Sequence, residues 1–419
     1  MDRFKNLWRK LTYTKALENA SGKLEILFFE SVYRVIYITG HSSSDQRRPY
    51  LLYSYFVKLM IALLVCGEVY YFSQPHSMDE VVAAINTYLI QFLTLYRYKN
   101  MMDHKDIYKK LASCMESPYF DTTTPTRKRL VELYSTENEK YLKLLLAIGN
   151  SALAAWIIYP LVDEVEYNLV VGVRLPFNYN TPALYPLAYL LVVVAFVQIA
   201  HFVMITDVIM QAHLIHLLCQ FAVLADCFEH ILIDCQEELE AFSDIHKNFL
   251  MYNRNFVAKY KRRLGNLVEQ HKLILNHTMN LRNTLSRPML GQLASSSILI
   301  CFIGYQIITT ITDNYAQGIM SLLYLGYNGF ELYIICRWCE EITIKSHKIG
   351  EAIYFSGWET GVSLLPGVGS TVKQIIARAR KPLVFTAGDM YHLSLSSFAT
   401  VNSYYNLLVI FCSLSEGIS

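Results

Sequence analysis

Four groups of residues have types and spacings that could do chemistry. Asp207, His213 and His216 offer a carboxylate and two imidazoles, a donor set that could bind a metal. Their place at the inner edge of an apolar segment favours ordinary interfacial solvation. Cys336-Arg337-Trp338-Cys339 has the spacing of half a zinc site, but no second Cys/His pair follows at a suitable distance. It reads as two small apolar residues at a helix end. The PGVGS stretch, residues 366–370, has glycines but lacks the Gly-Lys-Ser/Thr that cradles phosphate, so it reads as a turn. The run from Lys259 to Arg263 could meet nucleic acid or lipid headgroups, and it reads more simply as the solvated face of a helix. No catalytic residues, metal ligands or cofactor are expected, and neither is nucleic-acid binding.

A different chemistry is written into the last apolar stretch, SLSSFATVNSYYNLLVIF, residues 394–411. Polar side chains in hydrocarbon are costly unless they face water or a partner. Asn402, Asn406, Val409 and Ser413 recur at helical spacing and would share one wet face, the wall of an aqueous pore. Val409 or Ile410 would supply an apolar ring there, of the kind that gates by dewetting.

Such a face needs a membrane around it, and the composition provides one. The chain has 419 residues, 53% hydrophobic and only 17% charged, well below the quarter charged that is usual in soluble domains. Apolar runs of spanning length fall near 50–73, 79–98, 141–161, 184–210, 289–312, 317–336 and 388–413. Of the 37 lysines and arginines, 35 lie on one alternating side of this seven-span path. That bias places the amino terminus in the cytoplasm and the carboxyl terminus outside. The start, MDRFKNLWRKLTYTK, lacks the apolar core of a signal peptide, and Leu24 to Ile38 reads as an interfacial helix. Lys58 and Glu68, in the first span, would snorkel or make local contacts.

The fold expected is therefore an all-α membrane protein. Residues 1–48 form a cytoplasmic segment with the interfacial helix, and 49–210 hold four spans. Residues 211–288 form a long cytoplasmic helical hairpin, whose second helix runs from Asn255 into the fifth span. Apolar stripes (Leu217, Phe221, Leu224; Leu264, Leu267, Leu275) would pack the two arms on each other or on neighbours. Residues 289–336 hold two more spans, 337–386 a cytoplasmic anchor with a short basic helix, 387–413 the pore-lining span and 414–419 an extracellular tail. No cysteine lies in an outer loop, so no structural disulfide is expected. A G-protein-coupled receptor would have the opposite orientation, an Asp-Arg-Tyr triplet and Asn-Pro-x-x-Tyr; this sequence has neither motif. A transporter would show inverted repeats and paired mid-membrane charges, and the linear sequence displays neither.

Three pieces near the end carry a likeness to a known family: IGEAIYFSGW (349–358), IIARARKPLVFTAG (375–388), and SLSSF followed by NSYYNLL. With them the chain resembles insect odorant receptors. It departs from their ending in Ser397, which stands where the family has threonine, and in a shortened tyrosine cluster at Ser403-Tyr404-Tyr405. The Thr-Tyr...Gln-Phe ending of the related gustatory receptors is absent. The resemblance implies a multi-pass protein of the olfactory neuron's plasma membrane, surrounded by lipid. It would act as an odorant-gated, non-selective cation channel subunit, in a heterotetramer with a shared co-receptor. A gustatory-type channel subunit and a metabotropic receptor are the alternatives.

The resemblance also implies a pocket for a small volatile odorant in the outer half of the second, third, fourth and sixth spans. On those spans, Ile85, Tyr88, Leu89 and Phe92 form one helical face. Gly149, Ala152 and Trp156 form another, two small residues leaving room beneath an indole. Tyr324 and Tyr327 are three apart, and Val197, His201 and Ile205 complete the set. The same spacings serve ordinary packing between membrane helices, so each residue reads as pocket or as packing. For His201 the packing form is a hydrogen bond to a neighbouring helix.

Overall fold

The structure is a computed structural model. It describes residues 10–73, 78–162, 165–237, 254–310, 315–359, 362–381 and 383–400, with backbone alone at 78–86, 237 and 305–310. In chain order the helices are α1 (Lys15–Glu18), α2 (Lys23–Ile38), α3 (Arg48–Phe72), α4 (Met78–Asp103), α5 (Lys105–Ser113), α6 (Pro125–Val162), α7 (Tyr185–Glu229), α8 (Ile231–Glu237), α9 (Arg254–Thr310), α10 (Tyr315–Tyr354) and α11 (Val368–Ala379). A two-stranded hairpin, β1 (Thr386–Ala387) and β2 (Tyr391–His392), follows. Among the described residues the protein is thus all-α apart from this ribbon.

Among the described residues, four helices are long and apolar enough to cross a membrane: α3, α6, α7 and α10. The second expected span falls in α4 and the fifth in the latter part of α9. The seventh, expected from 388, starts later: residues 388–394 belong to the ribbon and its exit, a helical turn covers 395–400, and the remainder lies outside the described residues, with Asn402, Asn406, Val409, Ile410 and Ser413.

α7 is the centre of the bundle. Forty-five residues without proline beyond its first turn, and apolar nearly all round, suit a helix enclosed by neighbours. It packs on α10, α6, α3, α4, α9 and α2. Ala188, Val192, Ala195 and Ile199 are buried on it, and so is nearly every residue from Phe202 to Leu224. α9 is longer still, 57 residues or about 86 Å at 1.5 Å each. All six residues of the two apolar stripes on the hairpin arms are buried.

α2 lies against α6 and α7 with Phe28, Phe29 and Val32 buried. Asn138 of α6 donates to the Phe28 carbonyl oxygen (2.9 Å) and Ser135 to that of Leu27 (3.1 Å). The Glu116 carboxylate accepts the Leu24 and Glu25 amides at the positive end of α2. This approach needs Gly22, where an added Cβ would meet Glu116 at 2.3 Å.

The β-ribbon turns through Gly388 and Asp389, both at positive φ, the backbone of a tight hairpin turn. Ser286 of α9 holds the turn, its carbonyl accepting the Gly388 amide (2.8 Å) and its hydroxyl the Asp389 amide (3.2 Å). The chain then enters the last helix, where Ser394 Oγ accepts the Ser397 amide and the Glu340 carboxylate accepts that of Leu395 (2.7 Å).

Candidate ligand-binding site

α4, α6, α7 and α10 enclose a cavity with about 620 Å3 of space free of atoms, part of it open to the surface. Thr87, Ile90 and Gln91 line it from α4, and Gly149, Ala152, Leu153 and Trp156 from α6. Phe196, Ile199, Ala200, Val203 and Met204 line it from α7, and Tyr324 and Tyr327 from α10. The lining is almost wholly apolar and aromatic, as expected for a site that takes a small hydrophobic molecule.

Trp156 is fixed on three sides. Its indole N–H donates to the Val170 carbonyl oxygen (2.9 Å). Its ring meets Tyr324 edge-on at 4.8 Å and Phe196 at 5.5 Å, geometries that aromatic pairs favour. Val170 belongs to the α6–α7 connection, where Leu169, Val170, Val171 and Val173 are buried. That connection is tied to α3 through the Arg174 amide, which donates to Gly67 O (3.1 Å). Gly149 brings Met204 and Tyr327 together; a Cβ there would meet Met204 Sδ at 2.7 Å and Tyr327 at 3.1 Å.

Of the residues singled out in sequence, Gly149, Ala152, Trp156, Tyr324 and Tyr327 line this cavity. Tyr88, Leu89, Phe92, Val197, His201 and Ile205 do not. Phe92 is 74% exposed on the outer surface of α4, and Tyr88 packs edge-on against Phe72 at 5.7 Å. His201 Nδ1 bonds to the Val197 carbonyl of its own helix (2.8 Å), not to a neighbouring one. Ile205 is buried elsewhere in the packing of α7. The side chain of Ile85 lies outside the described residues.

The error on α7 is one of rotation. Phe196, Ala200 and Met204 line the cavity where Val197, His201 and Ile205 were expected, one residue or about 100° around the helix. On α4 the set turns likewise from Tyr88 and Phe92 to Thr87 and Gln91. Both helices are apolar on more than one face, so periodicity alone does not distinguish the face toward lipid from the face toward a cavity. On α6 and α10 the small residues and the aromatics mark a single face.

Beneath the cavity lies a cluster of buried charges that the linear sequence did not reveal. Arg97 of α4 pairs with Asp207 of α7 and with Glu331 of α10 (3.0 Å), and donates to Gln292 of α9 (2.9 Å). All three charged side chains are at most 3% exposed. The Tyr327 hydroxyl, on a residue that lines the cavity, donates to Asp207 Oδ2 (2.8 Å). The expectation of no paired charges within the bundle is therefore corrected. Each of the three sits near the end of its span, where alone it reads as interfacial; only packing brings them together. Asp207 is likewise not solvated. His213 packs against Phe29 and Tyr108 and His216 against Phe28, so both imidazoles are buried among aromatics. Among the described residues no group of three metal-binding side chains converges. Cys336 and Cys339 are buried free thiols.

A second cluster joins the helical hairpin to the α5–α6 connection. Arg127 donates to Asp226 (2.8 Å), Asp121 (2.7 Å) and Asp234 (2.7 Å), and Arg263 pairs with Asp121 and with Asp234 (3.0 Å). Burial opposes the charge on Asp121. Hydrogen bonds from Thr123 and the Arg263 charge outweigh it and lower the pKa to about 2. The basic run is thus not simply a solvated face: Tyr260 is fully buried and Arg263 turns inward, while Lys261 and Arg262 remain exposed.

Comparison with known proteins agrees with this architecture. A family model described as 7tm odorant receptor matches residues 77–405. Odorant receptor 94a of Drosophila melanogaster is 25% identical over 148 residues, which are 35% of this chain and 38% of that receptor. Odorant receptor 13a of the same fly is 27% identical over 158 residues, again 35% and 38%. These alignments span little more than a third of each relative's length. The structure of olfactory receptor OR5 from Machilis hrabei in complex with eugenol superposes with a TM-score of 0.75 at 15% identity, covering 93% of this chain and 99% of that one.

Proposed function

This chain belongs to the 7tm odorant receptor family, and we propose that it serves as an odorant-gated, non-selective cation channel subunit. A small volatile occupies the cavity framed by Trp156, Tyr324 and Tyr327, and its binding opens a central pore built by four subunits, co-receptor included. Each subunit lends its last helix to the pore, with Asn402, Asn406, Val409, Ile410 and Ser413 facing the ion path. The protein is a multi-pass membrane protein; its place is the plasma membrane of olfactory sensory neurons, amino terminus inside.

The observation that carries this reading is the cavity itself. Its aromatic wall is held rigid by hydrogen bonds and ring contacts rather than collapsed, and one wall residue, Tyr327, is bonded to the charge cluster beneath. A ligand touching Tyr327 therefore touches a group whose partners reach four helices, α4, α7, α9 and α10. That arrangement supports coupling between occupancy and helix position. The related receptor OR5 was solved with eugenol, a molecule of the class proposed here.

The test is to express the chain with and without a co-receptor and to record current while odours are applied. Fast cation current that persists with G-protein signalling blocked is expected. Surface expression without current across a broad odour panel would overturn the channel reading.

A further inference from the structure

At the edge of the cavity, between α3 and α4, three buried polar atoms have no hydrogen-bond partner among the described residues. They are Gln91 Oε1, Glu68 Oε2 and the Tyr88 hydroxyl. Glu68 is 2% exposed and Gln91 5%. Buried polar groups left unpaired are destabilising and uncommon in native proteins. Such a group beside a ligand cavity therefore asks what completes it.

The chemistry of the three narrows the answer. Gln91 Nε2 donates to Glu68 Oε1 (3.2 Å). With its nitrogen held on Glu68 Oε1, the amide turns its oxygen the other way. The amide oxygen is left free on a side chain that lines the cavity. Glu68 forms no salt bridge with the described residues, and its second oxygen has no partner either. The Tyr88 hydroxyl carries a proton of its own but bonds neither oxygen, so what the Gln91 oxygen lacks is a hydrogen-bond donor within reach.

We infer that Gln91 is the polar contact that selects the ligand: the site takes small apolar molecules bearing one hydroxyl or amino donor, with Glu68 positioning the Gln91 amide. This rests on the reading of the cavity as the odorant site. The donor enters the Gln91–Glu68 corner while the apolar body lies against Trp156 and Tyr324. Thr87, the other small polar residue on this wall, has a polar partner or contact of its own in the protein. A molecule whose polar end only accepts, such as an ether, leaves the Gln91 oxygen unpaired and is disfavoured.

The experiment uses the purified full-length chain in detergent and measures affinity by titration, with octan-1-ol, octylamine and heptyl methyl ether as probes of nearly equal size. The alcohol and the amine are expected to bind about tenfold more tightly than the ether, the yield of one hydrogen bond. Gln91→Leu should bring all three to the same affinity. Glu68→Gln releases the amide orientation and should shrink the preference without abolishing binding, a change that a merely structural role would not produce. Equal affinity for the three in the unaltered protein overturns the inference, as does a preference that survives Gln91→Leu. Trp156→Ala separates the two readings. If it weakens all probes alike while the donor preference is absent, the cavity stands and the selection by Gln91 falls. If it changes nothing, or if no probe binds, both fall.

Discussion

The two buried arginine clusters have nearly the same parts and different settings. Around Arg97 one guanidinium serves two carboxylates, with a glutamine and, through Asp207, a tyrosine completing the set. Around Arg127 and Arg263 two guanidiniums serve three aspartates, and side-chain exposure ranges from 1% to 21%. Buried ion pairs gain little over an apolar replacement, yet breaking one by removing a partner is costly. Neither cluster therefore explains stability by its presence. What differs is what each touches. The first shares Tyr327 with the cavity, while the second ties helix ends together in the hairpin layer.

The sharpest way to break the comparison is to remove the single cation. Arg97→Met leaves Asp207 and Glu331 buried and uncompensated, an expected loss of about 3–5 kcal/mol. Size-exclusion chromatography of a fluorescent fusion would read it as aggregation. A triple replacement of Arg97, Asp207 and Glu331 by apolar residues should recover folding but not odour response. Arg127→Leu should cost less, about 2 kcal/mol, because Arg263 still serves two of the aspartates and water reaches the group. Thermal unfolding of the two single variants side by side checks that order; equal losses would contradict it.

Tyr327→Phe sharpens the comparison without removing a charge. It deletes one donor to Asp207, worth about 1.5 kcal/mol, and should shift odour concentration–response curves while leaving expression nearly unchanged. A shift in expression alone would assign Tyr327 to packing.

The smallest effects are those of pH on the hairpin layer. Burial, aided by the Arg378 charge, lowers His271 to about 4 from its ordinary 6.5. The unfolded chain thus binds the proton more readily, and stability should fall as pH drops from about 6.5 toward 4. Asp121, held at about 2 against an ordinary 3.8, keeps its contribution above pH 3.8 and loses it only as pH falls toward 2. Melting temperature against pH should therefore decline first through the histidines of this layer whose pKa burial lowers, His271 and His277 among them. A His271→Asn variant should lessen the slope between pH 6.5 and 4, not remove it, and leave the more acidic limb in place.

Where residue identity is asymmetric, the sequence was legible. Gly149, Ala152 and Trp156 mark one face of α6 because two absent side chains and one large ring cannot be exchanged with neighbours, and Tyr324 and Tyr327 do the same for α10. On α4 and α7 leucine, valine and isoleucine surround the helix, and rotations of one residue are nearly degenerate in composition. Gln91 was the overlooked signal on α4, the amide between Ile90 and Phe92 in an apolar stretch.

The sequence by itself determined the class of protein: apolar runs of spanning length, basic residues kept to alternate connections, and terminal motifs shared with a family. These follow from the cost of charge and of unpaired backbone in hydrocarbon, a cost that acts segment by segment and so is visible along a single chain. Tertiary structure alone decided which face of α4 and α7 turns inward. It also joined Arg97 to Asp207 and Glu331, residues 110 and 234 positions away, and set Glu68 against Gln91. Pairing of buried polar groups is a property of packed helices, fixed by how they rotate and approach, and it leaves no period in the sequence.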